Sequence, residues 1–212
     1  LFHPCTSDLG LPVEIKSPSQ PTPLSHWADP NLIASVVPDG ALPASLNGVP
    51  FSPWTEGPTT DALWETLVQN KDDCFNEPPF KSQTGKPAAS GVVILEADGR
   101  VWAVSPTNQF GGYVNTFPKG KLEPDLSLRA NALKEGFEES GLRVVLTSFL
   151  CDSHRSTSVT RYYTARRIGG HPARMGWETQ AVHLVPRNQL ANVVSHHHDR
   201  IIIQALQALQ AL

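Results

Sequence analysis

Proline restricts where this chain can form regular elements, and its distribution is lopsided: 14 of the 19 prolines lie in residues 1–88. Proline fixes φ and carries no backbone donor, so so rich a stretch cannot sustain long helices or central strands. Residues 1–60 are therefore expected as loops and extended pieces. Trp27, Trp54 and the apolar run at residues 32–37 predict that this arm packs onto the rest of the molecule, with the two tryptophans as anchors. One helix is expected over residues 59–69, capped by Thr60 and striped by Leu63, Trp64 and Leu67. Residues 76–90, with Pro78-Pro79 and Gly85-Lys86-Pro87, read as a linker. Charge changes across the same boundary. Residues 1–88 carry 10 acids against 4 Lys/Arg, and residues 89–212 carry 10 against 13. The expected organisation is a Pro-rich acidic extension or small subdomain at 1–88 and a second domain at 89–212.

A length of 212 residues suits one domain with such an extension. A formal net charge of −3 argues against a nucleic-acid partner. No apolar run approaches the roughly 20 residues of a membrane-spanning helix. The first residues lack the basic start and apolar run of a secretory signal. Cys5, Cys74 and Cys151 are widely spaced and odd in number, which argues for a reducing compartment over a disulfide framework. A soluble, cytoplasmic chain is expected.

After the linker the pattern changes. Apolar stretches at 91–95 and 101–104 flank Asp98-Gly99, a hairpin signal. A strand near 113–117 and a helix over 127–140 follow. Further strands are expected at 143–150, 159–165 and 181–185, then a closing helix from Asp199 through 201–212. Strands alternating with so few helices predict an α/β fold, a mixed sheet sandwiched by helices.

The chemistry concentrates in Gly120-Lys121-Leu122-Glu123 and in the helix ending Lys134-Glu135-Gly136-Phe137-Glu138-Glu139-Ser140-Gly141-Leu142. At about 100° per residue, Glu135, Glu138 and Glu139 share one arc, while Leu126, Ala130, Leu133 and Phe137 cluster opposite. Gly141 suits a left-handed C-terminal cap. Three carboxylates so close repel one another, and two lie toward the helix end whose dipole disfavours anions. A hard divalent cation with oxygen ligands removes both objections.

This segment resembles the Nudix box, G-x5-E-x7-R-E-U-x-E-E-x-G-U, in which U is aliphatic. Gly120, Glu135, Glu138, Glu139, Gly141 and Leu142 match at the right spacing. Leu126, Lys134 and Gly136 depart from it, standing where the family has Glu, Arg and an aliphatic residue. Lys keeps the charge of Arg but loses its bidentate fork. Glu123 and Asp125 are nearby carboxylates that could stand in for the missing Glu. Phe117-Pro118-Lys119-Gly120-Lys121 is similar to the family's entry into the box. The resemblance implies a Nudix-type α/β/α sandwich with a mixed β-sheet, preceded by the Pro-rich N-terminal extension. It also implies ligation of Mg²⁺ or Mn²⁺ by Glu135, Glu138, Glu139 and the carbonyl of Gly120. Glu178, before the strand at 181–185, occupies the place of a further family glutamate, so Glu138, Glu139 and Glu178 are the expected catalytic residues.

The implied reaction is hydrolysis of a pyrophosphate in a nucleoside diphosphate linked to another moiety, such as a dinucleoside polyphosphate or ADP-ribose. The proline typical of ADP-ribose-cleaving members is not at its place, since Pro172 lies farther along. The box entry is closer to members acting on dinucleoside polyphosphates, inositol pyrophosphates or capped RNA, with capped RNA the weakest given the chain's charge. The departures leave open a catalytically weak or inactive module that senses a nucleotide, and the arm leaves open a homodimer.

Lys119 and Lys121 beside Gly120, with Arg155 and Arg161 from a run that also holds Arg166, Arg167 and Arg174, are expected to contact substrate phosphate. Tyr162 and Tyr163 alternate across a strand, so one is expected in the core and Tyr163 is offered as a base-stacking residue. Phe110 is a similar candidate. His196-His197-His198 share no helical face and read as a loop before the last helix. Cys151-Asp152-Ser153-His154 alternate along a strand and are not expected to act as a nucleophilic group.

Overall fold

The computed structural model describes residues 1–69 and 75–209. Cys74 and residues 210–212 of the expected closing helix lie outside them. The proline-rich third forms what its prolines permit: a single turn, α1 (Ser25–Ala28), and the short strands β1 (Ala34–Val36), β2 (Ser45–Leu46) and β3 (Val49–Pro50). Its helix, α2 (Asp61–Val68), begins where expected, with the Thr60 side chain accepting from Leu63 N.

Nine strands and five helices are completed by β4 (Ala88–Leu95), β5 (Val101–Pro106), β6 (Lys119–Lys121), α3 (Leu128–Ser140), β7 (Leu142–His154), β8 (Val159–Gly170), β9 (Thr179–Val185), α4 (Leu190–Val193) and α5 (Arg200–Ala208), counted among the described residues. The main sheet runs β1-β9-β5-β4-β8-β7, with β6 also on β4. Only β4 and β8 pair in parallel, and the other neighbours are antiparallel. The expected linker at 76–90 ends inside β4, whose first three residues it includes. The strand expected at 113–117 does not form. Beyond Leu95 and Val101 the strands β4 and β5 splay apart. The gap is bridged by Thr116, which exchanges two backbone hydrogen bonds with Val104 of β5, and by β6 on β4. Between them Pro118 removes a donor. Gly91 permits the crossing, because a Cβ there would lie 2.4 Å from Pro118 O.

Alternate residues of the sheet face opposite layers, as the period of two requires. Val92, Ile94 and Tyr163 face one core with Ala130 and Leu133 of α3 and with Trp27 and Trp64 of the arm. Val93, Val101 and Tyr162 face the other, with Ile202, Ile203 and Leu206 of α5. The result is the expected α/β/α sandwich with a mixed sheet.

The arm is built into this sandwich. Its strand β1 extends the sheet along β9. Trp27 is buried, with its ring centroid 5.9 Å from Trp102, and Trp54 meets Phe137 of α3 at 5.2 Å. Arg100 is 1% exposed and donates to the carbonyls of His26, Trp27, Asp29 and Leu32, with its charge matched by Asp98 at 2.7 Å. Glu77 accepts from Arg129 and Arg161, so the proline-rich connection is itself pinned to the sheet and to α3. Among the described residues no helix is long and apolar enough to cross a membrane.

Candidate metal centre

α3 is fixed at both ends by local chemistry. Ser127 Oγ accepts from Ala130 N at its start. Gly141 (φ 67°) closes its end in the left-handed conformation and donates to Phe137 O at 2.7 Å. Between the caps, Ala130 and Leu133 enter the core, and Glu135 and Glu139, one turn apart, come off the buried side facing β6. β6 supplies the opposing wall. Lys119 N donates to Glu139 Oε2 at 3.0 Å. A Cβ on Gly120 would fall 2.0 Å from Glu135 Oε1, so the box's first glycine leaves the room that the carboxylate fills.

The third carboxylate comes from outside the helix. Glu178 immediately precedes β9, and its carbonyl accepts from Thr107 N at 2.8 Å. One oxygen each from Glu135, Glu139 and Glu178 lie within 4.8 Å of one another. Glu138 is not in this trio. It lies on the exposed side of α3, where Lys134 moderates its charge.

The electrostatics fit a cation site. Burial first, then Glu139, Glu138 and Glu178, push the Glu135 carboxyl up to about 9. Burial raises Glu139 to about 7 against the opposing Lys119, and burial likewise raises Glu178, with Asp8 adding to it. Glu138 is raised to about 7 by desolvation, with Lys134 opposing and Glu123, Glu178 and Asp8 adding. Crowded, partly dehydrated oxygens that resist ionisation in the protein alone are a donor set suited to a hard divalent ion. The residues present therefore fit a metal.

Each departure from the box has a structural reason. Leu126 is 6% exposed and belongs to the core beside α3, where a carboxylate would be buried. Glu123 and Asp125 do not replace the missing acid: Glu123 accepts from Lys134 Nζ at 2.6 Å, and Asp125 is exposed. Lys134 also lies 3.5 Å from Asp61, so it ties α3 to α2 and to the box loop. Gly136 sits where α3 presses on β4, and a Cβ there would lie 2.9 Å from Val92 Cγ2.

Three of the expected substrate contacts are corrected. Tyr163 is fully buried against Phe75, so both tyrosines are core residues. Arg155 is 4% exposed, held by Asp199, Tyr162 Oη and Tyr113 Oη. Arg161 is 2% exposed and forks onto Asp152 while also reaching Glu77. Arg155, in the turn between β7 and β8, and Arg161, on β8, are taken up by Asp199, Asp152 and Glu77, which the alternation could not reveal. Lys119 remains beside the trio, and Lys121 lies two residues along the same strand. Lys119 Nζ stands 5.2 Å from the Tyr113 ring centroid, and Lys121 is exposed. Phe110 is exposed as well. The histidine run is a turn, His197–Asp199, leading into α5. Burial drives the Cys151 thiol up to about 12, which disfavours the reactive thiolate.

Sequence reasoning missed Asn131. It is fully buried on the first turns of α3, donating to Ser90 Oγ and accepting from Glu123 N, and so locks the box loop to both helix and sheet. A polar residue among the apolar positions of an amphipathic helix was the available signal.

The family model described as NUDIX domain matches residues 85–206. A comparison with curated proteins finds no match. Among solved structures, the chain is similar to a NUDIX hydrolase from Nitrosomonas europaea, with 16% identity and a TM-score of 0.50 over 59% of this chain and 89% of that one. It is also similar to an Ap4A hydrolase from C. elegans, with 14% identity and a TM-score of 0.49 over 59% and 98% of the two chains. An ADP-ribose pyrophosphatase from Streptococcus suis gives 20% identity and a TM-score of 0.48 over 60% and 93%. With Glu135 and Glu139 of its box gathered beside Gly120 and more than half its length matched by the family model, the chain belongs to the Nudix family, whose enzymes hydrolyse pyrophosphate bonds.

Proposed function

We propose that the protein hydrolyses a pyrophosphate bond in a nucleoside diphosphate linked to a second moiety, with Mg²⁺ or Mn²⁺ as the resident ion. The observation that carries this reading is the convergence of Glu135, Glu139 and Glu178 from two separate elements onto one point next to Gly120. Those three side chains, with the Gly120 carbonyl, would hold the ion. When bound, such an ion neutralises phosphate charge and acidifies water. The protein's own groups do the rest. Glu178 is the exposed member of the trio and its affinity for protons is raised, so it is suited to take the proton from an attacking water. Glu138, on the exposed side of α3 and within reach of the Glu178 charge, is a second proton acceptor at the rim. Lys119 is attached through its own backbone to Glu139, so its ammonium can pair with a phosphate held at the trio, and Lys121 extends the same basic edge.

A panel of nucleoside diphosphates linked to sugars, nucleotides or other groups, incubated with Mg²⁺ or Mn²⁺, tests this. The expected result is two phosphorylated products from at least one member, abolished by a chelator. Absence of cleavage across the panel with both metals would overturn the reading. A non-catalytic module is the second reading, favoured by Lys134 being spent on Glu123 and Asp61 and by Leu126 in the core. It predicts metal-dependent nucleotide binding without turnover.

A further inference from the structure

The loop that carries Glu178 is gripped by a part of the chain outside the family match. Residues 1–15 fold back as a hairpin: Phe2 bridges Glu14, His3 N donates to Val13 O at 2.8 Å, and Ser7 N donates to Leu11 O at 2.9 Å. From it and from the residues just after it, contacts reach Trp177, Thr179 and Gln180 around Glu178. Trp177 Nε1 donates to Asp8 Oδ1 at 3.0 Å. Cys5 N donates to His3 Nδ1, which leaves Nε2 carrying the proton that is given to Thr179 O at 3.1 Å. Gln180 Nε2 donates to Ser17 O and to Ser19 Oγ, both at 2.9 Å.

The other side of the same loop is held by residues 107 and 108. Thr107 N donates to Glu178 O, Thr107 Oγ1 to Trp177 O, and Asn108 N to Gln180 Oε1. Asn108 joins the two grips. Its side chain accepts from Lys16 N at 2.8 Å and donates to Glu14 O at 2.7 Å, pairing with the hairpin as a neighbouring strand would. It does so with φ at 55°, a left-handed conformation that asparagine tolerates better than most residues.

We propose that the N-terminal hairpin is a positioning element for Glu178, acting through Asn108, His3 and Asp8. A carboxylate on an exposed loop samples many positions, and catalysis needs it at one. Here the loop's backbone and its flanking side chains are clamped from both sides, while the Glu178 carboxylate itself is left to the trio. Asn108, His3 and Asp8 are positioning residues, and the proposal rests on the catalytic reading of Glu178 given above.

The test uses the full-length chain with Asn108→Gly, which keeps the left-handed backbone available and removes only the two side-chain bonds to the hairpin. Hydrogen–deuterium exchange should speed up at residues 175–180 and in the hairpin, with α3 unchanged. On the best substrate kcat should fall about tenfold with KM within about twofold, and in a Glu178→Gln background the same substitution should have no further effect. His3→Ala should repeat the pattern. Unchanged exchange at 175–180 overturns the proposal, and so does an equal fall in kcat with and without the Glu178 carboxylate. If the wild type cleaves nothing, the catalytic reading fails separately, and the exchange result still decides whether the hairpin holds this loop.

Discussion

Glu135 combines burial, two acidic neighbours on its own helix and a carboxylate seated against Gly120. Its proton affinity is raised from 4.5 to about 9, and that of Glu139 from 4.5 to about 7. The unfolded chain releases these protons near pH 4.5 and the folded protein holds them longer, so between these values the folded state binds more protons. Stability of the metal-free protein is then fully present below about pH 4.5 and is lost as pH rises through about 7 and toward about 9. Thermal unfolding in chelator should show Tm falling across this range. Mg²⁺ or Mn²⁺ should raise Tm most at the alkaline end, where the carboxylates ionise to meet the ion. Glu135→Gln should flatten the pH dependence. A Tm that climbs from pH 5 to 9 without metal would contradict this account of the site.

The helix that presents these carboxylates packs on β4 through Gly136, whose missing side chain is what brings it so close. Gly136→Ala gains up to about 1 kcal/mol of helix propensity but drives a methyl into the stiff Val92 side chain, at a cost of about 1–3 kcal/mol. Urea denaturation should show a net loss of about 1 kcal/mol, and a gain would mean that the helix has room to spare. At this scale much was legible in advance. Thr60 and Gly141 are caps because their chemistry acts within one turn, and Asp98-Gly99 marked its hairpin for the same reason. The box gave Glu135 and Glu139 their side of α3, and the place before β9 pointed to Glu178. What could not be read depends on contacts distant in sequence. Arg155 and Arg161 look free until Asp199, Asp152 and Glu77 arrive. Tyr163 looks able to stack on a base until Phe75 covers it. The strand expected at 113–117 was lost because β4 and β5 diverge, which a local pattern cannot report.

For the whole molecule, the proline-rich arm and the Nudix region are joined through buried polar groups as well as apolar packing. Arg100 satisfies four carbonyls of the arm, and Asp98, whose ionised form Arg100 favours although burial opposes it, balances the charge. Arg100→Ala strands these acceptors in the interior. It should cost about 3 kcal/mol in chemical denaturation and expose the region around Trp27 to limited proteolysis. Wild-type stability and unchanged cleavage would show that the arm does not depend on this anchor. The central claim is that the converging glutamates form a catalytic metal site, and Glu139 joins α3, β6 and the trio in one side chain. The most direct measurement is kcat of Glu139→Gln on the best substrate found, beside its metal-free Tm. The account predicts a fall of at least roughly 100-fold, about 2.7 kcal/mol of transition-state stabilisation, with Tm equal to or above wild type. A variant that turns over at the wild-type rate would contradict it.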